Sequence, residues 1–157
     1  MSAASKIPRK NLLRTPSGID GSNALLAALQ SAHRRIDDGF SEIESVAAAK
    51  HADPQRFNAA RLRIAQLNLA RRRLVNEVCS HLISFLSAEE REAVRELRRR
   101  DGDCFQNVSD LVRRWTPDAI ISDWGGYCVA SRATRAGILA IVAAEKELLY
   151  PLLGRDS

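Results

Sequence analysis

Four side chains in this sequence combine types and spacing suited to holding a metal ion: His33, Glu77, His81 and Glu145. Imidazole nitrogen and carboxylate oxygen are ligands for iron, zinc and manganese alike. Two of the four lie on mostly apolar helical faces. His33 falls in the run Leu26, Leu29, His33, Ile36, Phe40, Ile43 and Ala47. Glu145 falls in the seven-residue series Trp124, Ser131, Ile138, Glu145 and Leu152, beside the interleaved Ile120, Tyr127, Thr134, Ile141 and Leu148. A carboxylate on such a face is costly unless it is paired, hydrogen-bonded or metal-bound. Glu77 and His81 share one flank of their helix at i, i+4 spacing.

The elements that position these groups follow from periodicity and capping. Residues 1–21 hold Ser, Pro, Gly and scattered basic residues without a sustained period, which predicts a flexible basic arm. Helix 1 is expected from Ser22 to about Lys50. Asp53-Pro54, a capping residue followed by proline at the first helical position, opens helix 2, which the pattern carries to about Leu86. Ser87-Ala88-Glu89-Glu90 has the form of a capping box and opens helix 3, with Asp101-Gly102-Asp103 expected to interrupt it. Thr116-Pro117 opens helix 4, which runs to Leu153 and is weakened at Gly125-Gly126. Four long amphipathic segments with short connections imply an all-α, up-down-up-down four-helix bundle over residues 22–153, with a C-terminal tail at 154–157.

In that bundle the helical rise sets how deep each group lies from the end formed by Ser22, Leu86 and Leu153. His33 comes at ~16 Å, Glu77 at ~14 Å and Glu145 at ~12 Å, with His81 at ~8 Å and Asp101 at ~21 Å. Three groups thus fall near one level, and two lie about a turn away on either side. The same residues also have a metal-free explanation, in which His33 and Glu145 pair across the core and Glu77 and His81 form an exposed i, i+4 pair. Both explanations predict that His33 and Glu145 face each other.

The last helix, with Glu145 followed by Leu149-Tyr150-Pro151, resembles that of hemerythrin-like (HHE cation-binding) domains, and Ala32-His33-Arg34-Arg35-Ile36-Asp37 is similar to the family's first-helix histidine region. The resemblance spans roughly residues 22–153. It implies a four-helix bundle whose core holds non-haem iron on histidines and carboxylates, with His33, His81 and Glu145 as surviving ligands. Three positions depart from the family pattern. Ile141 replaces the histidine four before Glu145, Phe85 replaces the glutamate four after His81, and residues 88–115 contain no histidine.

Composition narrows the function. The formal net charge of +5 resides mainly in residues 1–14, where Lys6, Arg9, Lys10 and Arg14 face no acid; the remainder has 20 basic and 19 acidic residues. Arg71-Arg72-Arg73 and Arg98-Arg99-Arg100 therefore read as solvated mixed faces, which argues against a nucleic-acid surface. No apolar run reaches the length of a membrane span, and three cysteines on three helices suit reduced thiols in the cytoplasm. Phosphate-binding loops, Cys-x-x-Cys pairs and nucleophile elbows are absent. A histidine phosphotransfer bundle would need its histidine exposed, whereas His33 reads as buried. The reading is a hemerythrin-like regulatory or interaction protein with an incomplete di-iron set, not an enzyme, that acts on a protein partner; its oligomeric state is open. The alternative is a non-haem iron sensor of oxygen or redox state, using His33, Glu77, His81 and Glu145.

Overall fold

The computed structural model describes residues 18–49 and 53–155. Their regular structure is entirely helical: α1 spans Gly18–Ala47, α2 Pro54–Leu82, α3 Ala88–Arg114, α4 Pro117–Ser122 and α5 Trp124–Leu153. Gly18 already belongs to α1, four residues earlier than the sequence pattern indicates, and the rest of the expected arm lies outside the described residues. Helix α2 ends at Leu82 rather than near Leu86, with the Ile83 N–H still bonded to the Cys79 carbonyl. The expected turn at residues 51–53 is described only at Asp53.

The caps act as their residue types predict. An Asp53 carboxylate oxygen accepts from the Arg56 N–H at 3.1 Å, and Pro54 sits where no amide is needed. Ser87 and Glu90 complete a reciprocal capping box, each side chain accepting from the other's backbone N–H at 3.2 and 2.9 Å.

Two features depart from the sequence expectation. Helix α3 runs unbroken through Asp101-Gly102-Asp103, because Asp101 turns inward onto arginines of α2 while Asp103 turns outward onto Arg99. The expected fourth helix is instead two. At Asp123 the backbone leaves helical geometry (φ −143°, ψ 71°), and the freed carboxylate caps α5 by accepting from the Gly126 N–H at 2.9 Å. A Cβ at residue 126 would collide with that carboxylate, so glycine is what lets the cap close; at Gly125 a Cβ would meet nothing.

Contacts fix how the long helices run. Ser22 meets His81 and Glu42 meets Arg63, so α1 and α2 are antiparallel. Asn76 meets Arg98, and Arg71 meets Asp101, across α2 and α3. Glu90 pairs with Arg155, and Trp115 packs on Tyr127, across the junction of α3 and α5. His33 meets Glu145, and Glu44 meets Arg135, across α1 and α5. Among the described residues no helix is long and apolar enough to cross a membrane.

The apolar core forms two separate clusters. One gathers Leu29, Val78, Leu82, Leu97, Leu149 and Leu153; the other gathers Ile36, Phe40, Phe57, Ile64, Tyr127 and Val142. Every long helix crosses a polar layer between them. His33 lies between Leu29 and Ile36, Asn68 and Arg71 between Ile64 and Val75, Asp101 beyond Leu97, and Glu145 between Val142 and Leu149.

Candidate functional site

That layer holds the groups with chemical potential. His33 is 1% exposed and Glu145 fully buried, on facing sides of α1 and α5, and His33 Nε2 lies 2.8 Å from Glu145 Oε2. The other imidazole nitrogen, Nδ1, is 2.6 Å from the Tyr150 hydroxyl, one turn further along α5. On its second oxygen Glu145 accepts from Arg71 Nη1. The same guanidinium, 1% exposed, donates from Nη2 to Asp101 at 2.6 Å and from Nε to Asn68 at 3.0 Å. Asp101 is closed off by Arg72, whose Nε lies 2.7 Å from Oδ2 and whose guanidinium stacks 4.0 Å over the Phe105 ring.

Hydrogen-bond roles follow from this chain of contacts. A carboxylate held by a guanidinium can only accept, so the Nε2 of His33 carries the proton in that bond. Burial and the Glu145 and Asp37 charges push the Tyr150 hydroxyl up from its usual value against a smaller opposing pull from Arg34, so it keeps its proton and stays a neutral hydrogen-bond partner of Nδ1. Two carboxylates are then balanced by two guanidiniums beside the His33 imidazole. Every member of the layer has its partners, which is what makes burial of Arg71, Asp101 and Glu145 tolerable.

The four residues expected around a metal do not converge. Only His33 and Glu145 meet. Glu77 is exposed, because it lies about 100° around α2 from the inward-facing Val78. His81 is bonded through Nε2 to Ser22 Oγ at 2.9 Å. Ser22 is eleven residues, about 16 Å, along α1 from His33, far beyond a shared coordination sphere. Among the described residues no group of three or more His, Cys, Asp or Glu side chains could hold an ion. The donor set therefore does not suit iron as the chain stands: Glu145 has one oxygen on His33 and the other on Arg71, and both oxygens of Asp101 are held by arginine.

Asn68, Arg71, Asp101 and Tyr150 complete the layer. Asp101 was expected one level away, and Arg71 was assigned to a solvated basic run. A signal for Arg71 exists in the seven-residue series Phe57, Ile64, Arg71 and Val78, in which it is the one charged member.

The layer offers little to a substrate. A polar cleft of about 370 Å³ between α2 and α3 reaches Asp101 and Glu145 past Arg72, Arg98 and Arg99, but His33 stays sealed behind them. Cys79 and Cys104 carry thiols pushed up by burial, so neither is an activated nucleophile. No family model matches this sequence, and neither a curated protein nor a solved structure matches the chain.

Proposed function

We propose that this chain is a hemerythrin-like bundle of up-down-up-down topology, with α4 elaborating the last connection, that works in the cytoplasm as a metal-independent regulatory or interaction module. The observation that carries the reading is Arg71. Its guanidinium lies between Glu145 and Asp101, beside His33, and supplies from within the chain the positive charge that a metal would bring to such a carboxylate and imidazole set. A polar layer whose groups satisfy one another has none left to activate a substrate, and this supports a non-catalytic role. Three unpaired thiols agree with a reducing compartment.

The test is elemental analysis of protein purified without added metal, joined to melting with and without a strong chelator. The expected result is substoichiometric metal and an unchanged melting temperature. The adjacency of His33 and Glu145 favours one competing reading, a reduced iron site for oxygen or redox sensing, which would require the Arg71–Glu145 contact to give way. One iron per chain, lost with stability on chelation, would select it and overturn the metal-independent reading.

A further inference from the structure

The outward face of α5 carries a long apolar stripe. Helix α3 presents a charge at most exposed turns, as at Glu92, Arg95 and Arg99, and α2 exposes Leu62 and Leu69 between Arg56, Arg63 and Arg73. Along α5, Val129, Ala133, Ala136, Leu139, Ala140 and Ala143 are all exposed, Val129 at 67% and Leu139 at 41%. With 3.6 residues per turn these six fall within about 60° of Ala136, forming one continuous stripe. Only two charged side chains share it, Arg132 and Glu147, and neither pairs with another described residue.

The placement of those two charges points to what covers the stripe. Each lies seven and a half residues, about 11 Å, from the point between Leu139 and Ala140, on opposite sides of it. A twofold axis through that point lays a second α5 antiparallel on the first. It brings Arg132 level with the partner's Glu147, and by symmetry forms the ion pair twice. The same axis sets Ala136 against the partner's Ala143 and leaves Leu139 and Ala140 at the centre. Ala136, Ala140 and Ala143 let two helix axes approach to about 8 Å. Charged side chains flank the stripe, Asp37 and Glu44 from α1 and Arg100 and Asp103 from α3, giving an apolar centre with a polar rim.

We infer that the chain forms a twofold dimer through antiparallel contact of the exposed α5 faces, centred on Leu139 and Ala140 and registered by Arg132 against Glu147. This names a second copy of the chain as the partner in the interaction-module reading and rests on that reading.

Sedimentation velocity of the full chain over a wide concentration range tests it. The wild type is expected to pass from monomer to dimer. Ala140→Glu sets two carboxylates at the axis and should leave only monomer. Arg132→Glu and Glu147→Arg should each weaken dimerisation about tenfold or more, and the double exchange should restore it, because opposite charges again face each other. All three positions are exposed, so circular dichroism should report unchanged helix content. A monomer at every concentration would overturn the inference and leave the face to a different protein or to residues 1–17. A dimer indifferent to Ala140→Glu, or single exchanges that the double exchange fails to rescue, would overturn it as well. Metal content separates the two readings: a metal-free monomer defeats only the dimer, and an iron-loaded dimer defeats only the metal-independent core.

Discussion

Replacing Arg71 by Met keeps the length and apolar stem of the side chain but removes its guanidinium. Glu145 and Asp101 each lose a charge-assisted bond, and Asn68 loses a donor. Glu145, fully buried, keeps only His33, while Asp101 retains Arg72. Removing one member of a buried ionic set typically costs about 3–5 kcal/mol, chiefly because its partner stays charged and unsolvated. For a domain of this size each kcal/mol moves the melting temperature by roughly 2–4 °C, so a fall on the order of 10 °C is expected. Urea unfolding followed by helical circular dichroism measures this. A variant within about 1 kcal/mol of wild type at neutral pH, with an unchanged denaturant slope, would refute the account of the layer.

Three further outcomes are expected. Tyr150→Phe removes the hydroxyl bonded to His33 Nδ1 and should cost about 1 kcal/mol by denaturant titration, with helix content unchanged. Gly126→Ala should lower the melting temperature by forcing Asp123 off its cap, whereas Gly125→Ala, which meets open space, should be neutral or mildly stabilising. Bonds from Arg155 and from the Ser87 N–H hold Glu90 below the usual carboxylate range, so its contribution is present above the unfolded value and fades as pH falls through the lower folded one. Carbon-detected NMR titration should place its midpoint below that of a free glutamate, and Arg155→Ala should raise it.

Local signals made most of the helices legible. Asp53-Pro54, Ser87 through Glu90 and Thr116-Pro117 are capping chemistries confined to four residues, and each opens a helix where the sequence places one. The pairing of His33 with Glu145 was also readable, since two polar groups on apolar stripes at similar depth have few other places to go. Three misreadings have physical reasons. The break at Asp123 was hidden because an aspartate serves equally as a helix residue and as a cap, and only the close approach at Gly126 shows which role it takes. Arg71 was obscured by Arg72 and Arg73, although a helix sends successive side chains about 100° apart and cannot keep three on one face. Glu77 and His81 matched in spacing to each other, but spacing within a helix leaves open which flank turns inward.

The polar layer also bears on alignment of the helices along their length. Leucine and isoleucine clusters tolerate a slip of one helical turn, since one apolar side chain replaces another at modest cost. Here a slip of α2 by one turn, about 5.4 Å, would carry Arg71 away from Glu145 and set it against Val142 or Leu149. The guanidinium works as a detent: it says little about how strongly the helices adhere, and a great deal about where each must stop. Replacing Arg71, Asp101 and Glu145 together with apolar residues should therefore preserve much of the melting temperature yet multiply or broaden the amide resonances. A single sharp set would show that the loops and the two apolar clusters hold the alignment without it.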